Sequence, residues 1–304
     1  MSSAMLKVLM VGLDASGKTS IIYTLEQKLA SFHALKPTVS FNVKEEFTIL
    51  GVPVKIWDLG GQKQYRDEYL AKKGFIFGET NLIFFVLDVQ DTKRYSEAVD
   101  YFTKAVDFLI KIGLPPVIMV LLHKVDPEIK GTKKIRDNVQ IIREHFSSIP
   151  ASIKIDFFET SIYDRENLSR AFIAGIFKAL PKTEIIKSSL SDLMKNAAAE
   201  AVILLDENVL IVGEEYTDET AKELCRICGP FFANMTEKLL KYNLTSPKVL
   251  EAQMEGGWLF QIPLLVENAR FYLAFFTKER NLERINKFLS AFTKDLSSLI
   301  KYVV

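Results

Sequence analysis

The stretch GLDASGKT, Gly12–Thr19, constrains this chain more than any other. It fits the spacing G-x-x-x-x-G-K-[ST]. An apolar run of strand length, Leu6–Val11, leads into it, and a helical pattern follows to about Ala30. Glycines let the backbone curl until its N–H groups point inward, and the positive N-terminal end of the next helix favours anions. The loop is therefore expected to cradle phosphates along Asp14, Ala15, Ser16, Gly17 and on to Ser20. Lys18 is placed to reach β- and γ-phosphate oxygens, and the Thr19 hydroxyl to ligate Mg²⁺. A strand, loop and helix of this kind belong to an α/β fold, whose ligands bind at the carboxyl ends of parallel strands.

Other strand ends carry matching chemistry. WDLGGQ, Trp57–Gln62, follows a second strand and supplies Asp58 for Mg²⁺, the Gly61 N–H for a γ-phosphate and Gln62 to orient an attacking water. KPTVSFNV, Lys36–Val43, supplies Thr38, whose hydroxyl can complete the metal shell. The run Val117–His123 ends in His123-Lys124-Val125-Asp126. A carboxylate at Asp126 accepts from the N1–H and N2–H₂ donors of guanine and repels adenine, whose N1 is an acceptor. A site built on such a match rejects the wrong base by about 10⁴-fold or more. The Lys124 stem can cover the base face. ETSIYD, Glu159–Asp164, follows the next strand and brings Ser161 and Ile162, with the Ile162 N–H set to donate to guanine O6. Guanine-nucleotide-binding proteins usually read Asn-Lys-x-Asp where this chain has His123. An imidazole, with one donor and one acceptor, can do part of the work of that Asn.

Strand-like and helical stretches alternate through the first half. Phe41–Leu50 and Val52–Asp58 flank Gly51 as an antiparallel hairpin. Leu82–Asp88, Val117–His123 and Ile153–Glu159 read as further strands, with helical patterns near 93–112, 131–146 and 164–180. The alternation implies a mostly parallel six-stranded sheet with helices on both faces. ALPKTE, residues 179–184, marks a boundary, since Pro181 ends the preceding helix. The domains are set at 1–183 and 184–304. In the second, a helix striped by Ile186, Leu190, Leu193 and Ala197 precedes strands Ala201–Asp206 and Val209–Tyr216, then a long helix from about Thr217 to Tyr242. Strands Val249–Met254, Trp258–Glu267 and Arg270–Lys278 and a helix over about Asn281–Tyr302 complete an α+β domain.

Composition narrows the field. The 39 Lys and Arg nearly cancel the 38 Asp and Glu, which argues against a nucleic-acid surface. Two cysteines make no disulfide framework, and an intracellular, cytoplasmic setting is expected. No run approaches the roughly 18–20 apolar residues of a membrane span. Ser2 excludes N-myristoylation, and the C-terminal KYVV carries no lipidation cysteine, so membrane association is expected only through partners. Cys225 and Cys228 fall inside a long helical pattern and read as packing. Leu282, Ile285, Leu289, Phe292, Leu296, Leu299 and Val303 recur every three or four residues. That seam fits a helix packed on its own sheet or on a second copy.

Taken together, the motifs resemble a Ras-superfamily small GTPase over about residues 4–182. GLDASGKTS, PTVSFNV and WDLGGQ look like the Arf family, whereas HKVD, TSIYD and the long stretch Gln62–Asp88 look like the Rag/Gtr family. The C-terminal order of elements is similar to the roadblock/longin-like domain of Rag/Gtr proteins. The resemblance implies a P-loop GTPase domain followed by that domain, binding GTP and GDP with Mg²⁺. It implies a switch with slow intrinsic hydrolysis, activating and exchange proteins, and a homo- or heterodimer formed through the C-terminal domain. The competing reading is a guanine-nucleotide-binding scaffold that does not cycle. A P-loop kinase would need a lid, and the C-terminal half shows no Arg-rich lid.

Overall fold

The computed structural model describes residues 5–25, 38–49, 51–111, 116–147, 149, 153–180 and 184–303. It divides into two compact units, one of residues 5–47 and 53–179, the other of residues 180–304 together with 48–52. Residues 181–183, beside the expected boundary, lie outside the described set.

The first unit is built on a sheet of six strands: β1 (Leu6–Val11), β2 (Phe41–Ile49), β3 (Val52–Leu59), β4 (Leu82–Asp88), β5 (Val117–His123) and β6 (Ile155–Thr160). Their order is β2-β3-β1-β4-β5-β6. β1 pairs in parallel with β3 and β4, β4 with β5, and β5 with β6. Only two residues join β2 to β3, a connection that antiparallel neighbours alone permit. β4 reads LIFFVLD because both its faces are covered. Phe85, Leu87, Val120 and Leu122 point into one core with Tyr101, Phe102, Ile142 and Phe146. These last four come from α4 (Tyr95–Lys111) and α5 (Lys133–Phe146). On the other face Phe84 stacks on Phe172 of α6 (Arg165–Ala179), ring centroids 4.9 Å apart.

The structure differs from the sequence reading at several ends. α1 is described over Lys18–Leu25, and its expected run to Ala30 continues outside the described residues, as does Leu50. β6 begins at Ile155, not Ile153. Two helices had no counterpart in the reading, α2 (Lys63–Ala71) and α3 (Lys73–Phe77). α2 is largely polar and buries only Arg66 and Tyr69, so it carries no apolar stripe to detect. α3 spans five residues, too few to show a period.

The second unit follows the expected order. α7 (Glu184–Ala197) precedes β7 (Ala201–Asp206), β8 (Ile211–Tyr216) and α8 (Glu219–Lys241). β9 (Leu250–Met254), β10 (Gly257–Val266), β11 (Ala269–Thr277) and α9 (Leu282–Val303) complete it. The strands make one antiparallel sheet in the order β8-β7-β11-β10-β9. α8 lies against β7, β10 and β11, while α7 and α9 pack together and also touch the sheet. Of the seam on α9, Ile285, Phe292 and Leu296 are buried within their own unit and Leu282 and Leu289 are half-buried, whereas the side chains of Leu299 and Val303 lie outside the described set; Ser189 Oγ donates to Asp295 at 2.8 Å. Cys225 is buried in α8, Cys228 half-buried, and both are free thiols. No helix among the described residues is long and apolar enough to cross a membrane.

Candidate nucleotide site

The parallel strands deliver their C-terminal ends to one edge, and the phosphate loop opens there from β1. Gly17 adopts φ +102°. A Cβ on it would meet the His123 ring, with Cδ2 at 2.5 Å and Nε2 at 2.8 Å. Only glycine satisfies both the backbone and this contact. The Lys18 ammonium is buried and donates to Gly12 O at 3.1 Å, Leu13 O at 2.7 Å and Ser16 Oγ at 3.4 Å. Burial lowers its pKa to about 8, with Asp58 and Asp14 pulling the other way. Ala15 is exposed with φ 57°, Ser16 is buried, and Thr19 and Ser20 open α1 half-buried.

Three oxygens gather beside the loop. The β1–β3 register sets Met10 opposite Asp58, which brings that carboxylate to the loop. Thr19 Oγ1 donates to Asp58 Oδ2 at 2.6 Å, Thr38 Oγ1 donates to the same oxygen at 3.2 Å, and the two hydroxyls are 3.1 Å apart. Gly61 packs its backbone directly on the loop at Leu13 and Asp14, leaving no room for a Cβ. Gln62 follows as the half-buried N-cap of α2.

The expected base-reading residues also converge. Asp126 Oδ1 accepts from Ser161 Oγ at 2.5 Å, and Ser161 Oγ accepts from Tyr163 N at 3.1 Å. Ile162 lies half-buried between them in sequence. The Lys124 ammonium pairs with Asp88 Oδ2 at 2.7 Å. His123 is buried, with Nδ1 3.0 Å from Thr160 Oγ1 and the opposite ring edge against Gly17. It therefore bridges the base-side strands and the phosphate loop, the place where an Asn usually stands. Burial first, then Lys124, lowers its pKa to about 4, so the ring is neutral at pH 7.

A charged network had escaped sequence reading. Arg94 Nη2 donates to Asp14 Oδ1 at 2.6 Å and Arg94 Nε to Glu97 Oε2 at 3.0 Å. Arg66 Nη2 donates to Glu97 Oε1, and its Nε donates to Gly61 O at 2.9 Å. The available signal was an acidic residue inside a loop meant for phosphates, which calls for a cation nearby. An aromatic cluster was missed as well: Phe41 stacks on Trp57 at 5.0 Å, and the exposed Phe75 abuts both rings.

The model described as the Gtr1/RagA G protein conserved region matches residues 7–238. The chain belongs to the Gtr1/RagA family. It is thus a Rag-like small GTPase of the Ras superfamily, a GTP-binding switch on a P-loop GTPase fold. The antiparallel C-terminal unit fits a roadblock/longin-like domain. Among its relatives, GTP-binding protein gtr1 of Schizosaccharomyces pombe is 25% identical over 221 residues, 70% of this chain and 69% of that protein. ADP-ribosylation factor-like protein 3 of Chlamydomonas reinhardtii is 32% identical over 120 residues, 40% of this chain and 63% of that protein. A solved structure of the Arl6 BBS3 small GTPase from Trypanosoma brucei with bound GppNp is similar at 21% identity. It covers 58% of this chain and 97% of that one, with a TM-score of 0.45.

Proposed function

We propose that this family member binds GTP and GDP at the edge just described, hydrolyses GTP slowly, and works as a switch through partner proteins. The observation that carries this is the convergence of Lys18, the Thr19–Thr38–Asp58 oxygens and the Ser161-braced Asp126 along one sheet edge. The backbone of Asp14–Ser20 wraps the phosphates. Lys18 exchanges its loop carbonyls for β- and γ-phosphate oxygens. Asp126 reads the N1 and N2 donors of guanine, Lys124 covers the base, and the Ile162 N–H faces O6.

Thr19, Thr38 and Asp58 offer two hydroxyls and one carboxylate, all hard oxygens, a set that suits Mg²⁺ completed by phosphates and water. Held by these three residues, Mg²⁺ would supply positive charge to offset that of the phosphates. The Gly61 N–H donates to the γ-phosphate, and Gln62 holds a water in line with it. Loss of that phosphate releases the segments around Thr38 and Gly61. Arg94 and Arg66 are committed to Asp14, Glu97 and Gly61 O, which supports slow intrinsic turnover and a need for an activating partner. The bridging seat of His123 and the presence of Gln62 favour this cycle over a scaffold that never turns over.

Dimerisation belongs to the C-terminal domain in this reading. Along α8, Ile227 (69% exposed), Phe231 (71%) and Met235 (36%) form an outward apolar stripe suited to a second copy or a related chain. Cytoplasmic residence, with membrane recruitment through partners, completes the proposal. The test of the base reader is Asp126→Asn, which replaces an acceptor with a donor. GTP binding should fall and xanthosine triphosphate, with an acceptor at C2, should be preferred. Undiminished GTP selectivity in the variant would remove Asp126 from the reader.

A further inference from the structure

The phosphate loop carries a negative charge of its own. Asp14 lies within the stretch shaped to receive phosphates, and Gly61 packs on the loop backbone at Leu13–Asp14. By the reading above, that is where the terminal phosphate of GTP would lie. A bare carboxylate there would repel a triphosphate more than a diphosphate.

Arg94 meets that charge. It closes the 3-10 turn Thr92–Arg94, past the end of β4 and 80 positions from Asp14 in sequence. Its Nη2 donates to Asp14 Oδ1 at 2.6 Å, its Nε donates to Glu97 Oε2 at 3.0 Å, and Nη1 lies 3.8 Å from Asp91 Oδ2. The hydrogen bond from Arg94 holds the Asp14 carboxyl below the usual carboxylate range, so the pair is ionic. Glu97 also pairs with Arg66, whose Nε fixes Gly61 O. Arg94 and Arg66 thus supply two positive charges against the carboxylates of Asp14, Glu97 and Asp91.

We propose that Arg94 is a positioning residue for nucleotide binding: paired with Asp14, it cancels the loop's own negative charge and so secures affinity for the triphosphate. This rests on the loop being the phosphate site. A purely structural Arg94 would, on substitution, weaken GTP and GDP alike, and neutralising Asp14 would not help.

The experiment titrates fluorescent GTP and GDP analogues with Mg²⁺ into the full chain as wild type, Arg94→Lys, Arg94→Gln and Arg94→Gln/Asp14→Asn. Arg94→Gln should weaken GTP by about tenfold or more and GDP by about threefold or less, a loss that shrinks as salt is added. Arg94→Lys should keep most of the affinity, and the double variant should bind GTP about threefold or more tighter than Arg94→Gln alone. Wild-type protein that binds no GTP would sink the reading of the loop itself. Wild-type binding alongside an unaffected Arg94→Gln, or alongside equal weakness in Arg94→Gln and the double variant, would overturn the role of Arg94.

Discussion

Replacing His123 by Asn should flatten the acid side of the stability profile. The ring is buried between Thr160 Oγ1 and Gly17, and burial takes its pKa from 6.5 to about 4. A histidine in the unfolded chain charges near pH 6.5. Between those values the unfolded state binds the extra proton, so stability falls as pH drops below about 6.5 and the loss is complete below about 4. The full shift corresponds to roughly 3 kcal/mol, and from about pH 7.5 to pH 5 the loss assignable to this residue is about 2 kcal/mol. Asparagine carries no proton equilibrium in this range. Urea unfolding of wild type and His123→Asn at several pH values between these limits measures the difference directly, because every other titrating group is common to both. The wild-type profile should fall about 2 kcal/mol more steeply. Parallel profiles would mean that His123 charges as readily in the folded protein as in the unfolded one, and its bridging seat would be refuted.

Other consequences follow from single contacts. Gly17→Ala places a methyl against the His123 ring at a φ of +102°, and thermal melts should show a loss of roughly 1–3 kcal/mol; an unchanged melting temperature would contradict the packing. Gln62→Leu should keep GTP affinity and lose most phosphate release in single-turnover assays, whereas unchanged hydrolysis would remove Gln62 from water positioning. Phe231→Glu in the full chain should shift light scattering from dimer to monomer, and wild type that stays monomeric at high concentration would refute the α8 interface.

Much of this molecule can be read from its residues, and what cannot either lacks a local apolar period or depends on contacts distant in sequence. β4, β5 and β7 stand at their expected bounds because continuous apolar runs have sharp ends. α7 follows its stripe because Ile186, Leu190, Leu193 and Ala197, spaced three or four apart, share one buried helix face. α2 and α3 were invisible since one is polar and the other too short to show a period. Lys18, Thr19 and Asp58 sit in local motifs whose spacing reflects a fixed backbone shape, so their gathering could be anticipated. Arg94 could not be paired with Asp14 in advance, because the contact spans 80 residues and depends on β1 lying beside β4. The role of His123 was half legible. Its chemistry suggested a link to the phosphate loop, while its contact with Gly17 required the fold.

By the proposed function, this sheet edge selects guanine nucleotides and turns GTP over. The most direct test is binding of GTP, GDP and ATP to the purified full chain with Mg²⁺, followed over hours for phosphate release. Tight binding of both guanine nucleotides, at least about 10⁴-fold weaker binding of ATP, and slow release are predicted. Comparable binding of ATP, or guanine binding without any phosphate release, would contradict the account.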